Sequence, residues 1–497
     1  FAVARDRQGT DSRVVAVVGD GALGSGVALE GLNNIIEATD DFVLVLNDNK
    51  MSISRNVGAL SRCLSRVLTG EPYNRVKGRL RELVRAIPRV GDSLHRGIQR
   101  LEEATKGLLV PGQVFEELGL RYIGPLDGHD VASLIETFED VRRLRQPLVV
   151  HVLTEKGRGY VPAEESPEDY HGLGQFDPDT GQVVGRDEER APTFSEVFGD
   201  AVCRLVERDD RVLAITAGMC SGTGMRSLRS RMPERLLDVG IAEEHAVVFA
   251  AGLAAAGMRP VVPIYASFMQ RAADYVFHDV CLQDLSVIFC LDRAGIVPDG
   301  PTHHGIHDLA FWCGLPNISV LQPSDGPELE RMLQAAYERG GPVIIRYPKA
   351  PASPLPTGEH APLSWGRSEM LREGGDVALW ALGRECATAL AVAEGLADRG
   401  ISCAVVNPRF VMPLDTQRLR EQASAMPVVT LEDHCTLGGF AGCIDQALSG
   451  VTVRGVLHRG WPRQVVPFGT VDGIRARFDL RVEDLVNRIA EWRKGLG

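Results

Sequence analysis

The chain has 497 residues, 44% hydrophobic and 24% charged, more than one apolar core can organise, which points to about three globular domains. Its 54 basic and 66 acidic residues leave a formal charge of −12, so no nucleic acid partner is expected, although a locally basic pocket can still hold a small anion. The longest apolar run, 246–258, is too short to span a bilayer, so no membrane partner is expected. Ten scattered cysteines, without a CxxC pair or zinc spacing, read as free thiols in a reducing cytosol, and no signal peptide is visible.

In chain order, β-branched apolar runs at 13–20, 42–49 and 147–155 predict buried parallel strands. A second set follows at 211–219, 259–266, 285–293 and 342–348, and a third at 376–383, 402–409 and 426–433. Helical stretches alternate with them, so the expected fold is α/β, with three doubly wound domains over 1–160, 193–350 and 365–497. The acidic, proline-containing segment 161–192 reads as a linker, and a second break falls at about 347–364. The basic stretch from Arg62 to Lys106 reads as exposed amphipathic helix with solvated charges.

VVAVVGDGALGSG leaves a strand, turns on glycines and enters a helix, and GDGALG satisfies the dinucleotide pattern G-x-G-x-x-G. Asp20 argues against a dinucleotide, because a carboxylate beside a pyrophosphate is repulsive unless a divalent cation lies between them. A second metal ligand is then needed. Asn47-Asp48-Asn49 closes the next strand, where a parallel sheet sets its loops beside the first turn. Asp20, the Asn49 amide and a backbone carbonyl suit Mg²⁺ or Ca²⁺ together with two diphosphate oxygens. Gly19, Gly21 and Gly24, with Ala22 in the same turn, let the backbone approach phosphates, and the helix N-terminus adds donors. GDG and NDN at this spacing read as a thiamine-diphosphate site.

The second domain supplies the other half. DVGIAEEHAVVFAAG puts Glu243 at a strand end and a helix start. Thiamine chemistry needs a carboxyl beside N1′ of the aminopyrimidine, favouring the imino tautomer whose 4′-nitrogen removes the C2 proton. Ile241 and Val247 would raise the pKa of that carboxyl, whereas Glu244 reads as an acid favoured by the helix dipole. Tyr265 and Phe268 offer aromatic faces for the pyrimidine.

The strings GDGAL, NDNKMSISRNVGAL, YIGPLDGHD, TEKGRGY, GIAEEHAVVFAAGLA, FMQRA, DRAGIV and DGPTHHG resemble the 1-deoxy-D-xylulose-5-phosphate synthase family, and the likeness runs on through VNPRFVMPLD and LEDHCTLGGF. The resemblance implies transketolase-type diphosphate-binding, pyrimidine-binding and C-terminal domains, a homodimer, and a cytoplasmic or plastid-stromal setting. It implies thiamine diphosphate and Mg²⁺ as cofactors. The implied reaction joins pyruvate to D-glyceraldehyde 3-phosphate with loss of CO₂, at the entry to isoprenoid precursors and to thiamine biosynthesis.

By the same resemblance Asp20, Asn49 and the Met51 carbonyl hold Mg²⁺, Gly19, Gly21 and Ala22 meet the diphosphate, and Lys156 lies at the active centre. Glu243 activates the cofactor and Phe268 stacks on its pyrimidine. Arg293 binds the substrate phosphate, Tyr265 and Arg271 line that pocket, and Asp299 and His303 face the substrates. Three positions depart from the family pattern. Val297-Pro298-Asp299-Gly300 is one residue shorter, Gly24 replaces a threonine, and Lys349 replaces a second phosphate-binding arginine, keeping the charge but losing the bidentate fork. The family also carries a longer N-terminal segment with two histidines, absent before Phe1. A folded, dimeric, N-terminally truncated chain with weak cofactor affinity and little synthase activity is therefore expected. The alternatives are another transketolase-like thiamine enzyme or an inactive scaffold.

Overall fold

The computed structural model describes residues 1–51, 56–59, 64, 112–184 and 190–496, so the basic stretch at 62–106 lies, Leu64 apart, outside the described residues. The chain divides into two units, 1–186 with 240–242 and 187–239 with 243–497.

The first unit is built on a parallel sheet of β1 (Val15–Gly19), β2 (Val43–Asp48), β3 (Arg121–Asp127) and β4 (Leu148–Leu153), in the order β1-β2-β4-β3. The central strands β2 and β4 are buried almost throughout, which is why both are nearly continuous apolar runs. At the edge, β1 alternates, and Val15 and Val17 are exposed. The sequence offered no strand at β3, because YIGPLD carries turn residues. Gly124 resolves this: its φ is +133°, and a Cβ there would lie 2.6 Å from the His151 carbonyl oxygen, so only glycine lets β3 run this close to β4. The helix expected directly after the GDG turn is interrupted. Asp20–Leu23 makes a single turn ending at Gly24, and the main helix runs over Gly26–Ala38. The expected linker also carries structure, with a helical turn at Val161–Glu165 and the rings of Tyr160, Tyr170 and Phe176 packed 5.7–6.0 Å apart.

The second unit holds two sheets. One comprises β5 (Val212–Thr216), β6 (Leu236–Asp238), β7 (Arg259–Tyr265), β8 (Ile288–Asp292), β9 (Ser319–Leu321) and β10 (Val343–Tyr347). The other comprises β11 (Glu369–Arg372), β12 (Val377–Ala381), β13 (Cys403–Asn407), β15 (Val428–Cys435) and β16 (Val456–Trp461), while β14 (Phe410–Met412) joins the first of the two. Their orders are β14-β9-β10-β8-β7-β5-β6 and β11-β13-β12-β15-β16. Thus β14, which follows β13 in the chain, leaves that sheet and pairs antiparallel with β9, completing the edge of its neighbour.

Each sheet has its own apolar core, one around Phe198, Val202, Met332 and Tyr347, the other around Val405, Trp461, Leu485 and Ile489. A buried ionic network links them. Arg409 donates to Glu328 at 2.9 Å and to Glu369 at 2.8 Å, and His360 bridges Asp325 at 2.8 Å and Glu369 at 2.7 Å. The ligand atoms of Glu328, His360 and Glu369 lie within 4.8 Å of one another, a spacing a cation could use. Arg409 and both imidazole nitrogens already satisfy those carboxylates, so the cluster works as an internal ion network. No helix among the described residues is long and apolar enough to cross a membrane.

Candidate active site

Each unit gathers predicted residues at the C-terminal ends of its own parallel strands, where open α/β sheets hold ligands. In the first unit Asp20 follows β1 and Asn49 follows β2, with Gly19 and Asn47 paired in register. Asp20 is buried. Its Oδ2 accepts from Asn56 Nδ2 at 2.7 Å, while Oδ1 has no hydrogen-bond partner among the described residues. Burial, followed by the facing Asp48 carboxyl, pushes Asp20 up to about 6. Burial would raise Asp48 as well, but His151 and the contact with Asp20 outweigh it and hold Asp48 low.

Lys50, with φ 60°, makes the turn that follows: its N–H donates to Asp48 Oδ1 at 3.1 Å, and the Met51 N–H donates to Asn49 Oδ1 at 2.9 Å. Space beside Gly19 is open, with no atom within 4 Å of a Cβ placed there. Lys156 follows β4 and donates to His171 Nδ1 at 2.8 Å, its pKa lowered by partial burial against the pull of Glu168.

In the second unit Glu243 opens the apolar helix Glu243–Ala255 and is 2% exposed. Burial raises its pKa even though Arg271 Nη1 donates to its Oε2 at 2.6 Å. Tyr265 ends β7, and burial pushes its hydroxyl up to about 12. The Phe268 ring lies 5.4 Å from Tyr265 and 5.1 Å from His303, so these three form a continuous aromatic wall. Arg293 follows β8 with φ 62°, pairs with the buried Asp292 at 2.9 Å and stacks 3.8 Å above the Tyr265 ring. Ser195 holds Asp292 from behind at 2.6 Å. Lys349 follows β10 and donates to Asp299 Oδ2 at 3.0 Å; Arg293 and His303 also act on that carboxylate, and together they outweigh its partial burial and hold its pKa low. His303 is half-buried, with Thr302 Oγ1 2.9 Å from its Nδ1, whereas the adjacent His304 is buried against Val297.

The structure therefore brings Asp20, Asn49 and Met51 onto neighbouring loops of one unit, and Tyr265, Phe268, Arg293, Asp299, His303 and Lys349 into contact in the other. Arg271, expected to line the substrate-phosphate pocket, reaches Glu243 and Glu244. Sequence reasoning missed Asn56, Asp292 and His151. It also missed Gly222, where a Cβ would fall 1.8 Å from the Tyr265 hydroxyl. Asn56 and Asp292 sat inside strings already singled out, NDNKMSISRNVGAL and DRAGIV, so membership of those motifs was the available signal.

Residues 1–154 match the family model described as 1-deoxy-D-xylulose-5-phosphate synthase, 190–353 the transketolase pyrimidine binding domain, and 366–472 the transketolase C-terminal domain. The chain is 45% identical to 1-deoxy-D-xylulose-5-phosphate synthase 1 of Geobacter metallireducens over 500 residues, covering 100% of this chain and 80% of the relative. It is also 45% identical to the 1-deoxy-D-xylulose-5-phosphate synthase of Desulforudis audaxviator over 499 residues, 99% of this chain and 78% of the relative. Among solved structures, the transketolase of Campylobacter jejuni aligns over 99% of this chain and 80% of its own, with a TM-score of 0.52 at 18% identity, a likeness of fold. A split-gene transketolase, described as an inactive beta4 tetramer, aligns over 60% of this chain and 97% of its own, with a TM-score of 0.54 at 29% identity.

Proposed function

The chain belongs to the 1-deoxy-D-xylulose-5-phosphate synthase family, and from that premise we propose how its residues serve the family's reaction. That reaction is the thiamine-diphosphate-dependent condensation of pyruvate with D-glyceraldehyde 3-phosphate, giving 1-deoxy-D-xylulose 5-phosphate and CO₂, and it makes the protein a transferase of transketolase type. Thiamine diphosphate supplies, when bound, an acidic carbon that attacks the pyruvate carbonyl and an electron sink for decarboxylation.

The assignment of Mg²⁺ to Asp20, Asn49 and the Met51 carbonyl is supported by the orphaned Asp20 Oδ1, a buried acceptor facing a second acid. Such a pair is costly without a cation and suits a hard divalent ion. Gly19, Gly21 and Ala22 carry the backbone along the diphosphate, and the open space beside Gly19 is in keeping with that role. Lys156, just after β4 in the same sheet, adds a positive charge to this unit's set of strand ends. Glu243 holds a proton at the aminopyrimidine, Phe268 gives a stacking face, and Arg293 and Lys349 receive the substrate phosphate, with Tyr265 holding the Arg293 plane. Asp299, paired with Lys349, and His303, which faces Asp299 and the Phe268 ring, orient the substrates.

We assign diphosphate binding to residues 1–160, pyrimidine binding to 193–350 and the C-terminal domain to 365–497, and read the working form as a cytoplasmic homodimer. The observation that carries the catalytic reading is Glu243, a carboxyl 2% exposed at the start of an apolar helix, with its pKa raised by burial. The test is CO₂ release from pyruvate by the purified chain with thiamine diphosphate and Mg²⁺. Release that needs both cofactors and is accelerated by glyceraldehyde 3-phosphate, with 1-deoxy-D-xylulose 5-phosphate formed, supports the reading. Turnover only with a ketose-phosphate donor, or none at all, refutes it.

A further inference from the structure

Three strands of the first sheet each contribute one polar side chain, Tyr122 half-buried and His151 and Asp48 buried, to a continuous line that ends beside Asp20. Tyr122 on β3 places its hydroxyl 2.7 Å from His151 Nδ1, and His151 on β4 places Nε2 3.2 Å from Asp48 Oδ2 at the end of β2. His151 is 0% exposed and Asp48 3%. A carboxylate only accepts hydrogen bonds, so Nε2 carries the hydrogen. In the neutral ring Nδ1 is then an acceptor, and Tyr122 donates to it. The other Asp48 oxygen accepts from the Lys50 N–H in the turn that carries Asn49 and Met51.

The line is rigidly housed. A Cβ at Gly124 would meet the His151 backbone at 2.6 Å, and one at Gly112 would meet the Tyr122 ring at 2.5 Å. Phe115 stacks on Tyr122 with its ring 6.2 Å away and tilted by 11°. A core filled for packing alone would not bury His151 and Asp48 in series behind a half-buried Tyr122, since each must be matched by a partner of fixed orientation.

We infer that Tyr122 and His151 are positioning residues: they orient Asp48, and through it the Asn49–Met51 turn and the facing Asp20 carboxylate, for a divalent cation. The inference rests on the assignment of the metal to Asp20, Asn49 and Met51. Outer groups of this kind typically change metal affinity about 10- to 100-fold when removed.

The test is calorimetric titration of thiamine diphosphate into the protein across a series of Mg²⁺ concentrations, which reads metal dependence without turnover. His151→Leu is expected to raise the Mg²⁺ concentration for half-maximal binding about tenfold or more. His151→Gln, which can still donate to Asp48, should recover most of that loss, and Tyr122→Phe, which removes one hydroxyl, should show a shift of about two- to fivefold. The melting temperature of the metal-free Tyr122→Phe protein should stay near that of the wild type. Should His151→Leu fail to fold, Tyr122→Phe decides alone. Wild-type metal dependence in Tyr122→Phe and His151→Leu overturns the inference, and so do equal losses in His151→Leu and His151→Gln, which would mean lost packing. Asp20→Ala separates the two readings. If it leaves the metal dependence intact, the metal assignment itself has failed; if it abolishes the dependence while the His151 and Tyr122 variants do not move it, only the positioning role has.

Discussion

Arg271 Nη1 lies 2.6 Å from Glu243 Oε2, so the buried carboxyl proposed to activate the cofactor is held by a cation that works against its burial. Burial raises the Glu243 pKa, and Arg271 opposes the rise. Replacing Arg271 by Gln removes the opposing charge, and the carboxyl should keep its proton to higher pH. The alkaline limb of the pH profile for C2 hydrogen–deuterium exchange in bound thiamine diphosphate should then move upward. A profile that stays put, or moves to lower pH, would remove Arg271 from this role.

Glu243→Gln keeps the size of the side chain and removes the carboxyl that shares a proton. C2 exchange should slow by about 10²- to 10⁴-fold, the range of an essential proton-transfer group. Thiamine diphosphate affinity by calorimetry should change far less, because the diphosphate and metal are held elsewhere. Normal exchange in the variant would disprove the assignment.

Arg293 is anchored by Asp292 at 2.9 Å and by the Tyr265 face, whereas Lys349 is more exposed and paired only with Asp299 in the contacts described above. Arg293→Ala should raise KM for glyceraldehyde 3-phosphate about 10- to 150-fold, the equivalent of roughly 1.5–3 kcal/mol for a charged hydrogen bond, and barely change KM for pyruvate. Lys349→Ala should cost less. Steady-state kinetics with each substrate varied in turn decides it, and equal effects on both substrates would make these residues structural.

The buried network around His360 has a pH signature. Burial alone would lower the His360 pKa, but Asp325 and Glu369, with Glu328 nearby, push it up to about 10. Arg409 faces the same carboxylates. A histidine raised on folding contributes its full stabilisation below its unfolded value near 6.5 and loses it as pH climbs toward 10. That contribution is on the order of 5 kcal/mol. His360→Gln should therefore melt well below the wild type at pH 6, and the gap should close by pH 10. A gap independent of pH in thermal melts would show that the imidazolium charge is not what stabilises the network.

The central strands were legible because a parallel strand covered on both faces must be apolar throughout, as VLVL in β2 and LVV in β4 are. Edge strands such as β3 and β14 were not, since β3 carries Gly124-Pro125 and β14 is three residues long. The GDG and NDN motifs were visible as strings because strand, turn and ligand are contiguous there. The asparagine that reaches Asp20 lies in the same string as the NDN motif, but nothing in the string says that its side chain turns back to Asp20.

By itself the sequence determined which segments are buried strands, that an acid sits inside a phosphate-type turn, and which family the motifs resemble, because each of these is written in contiguous residues. Only the tertiary structure decided the partners. Asp48 meets His151 across 103 positions, Arg409 reaches Glu369 across 40, and Arg271 reaches Glu243 across 28. A side chain's partner is chosen by strand order and register, and a buried charge takes whichever opposite group those place beside it.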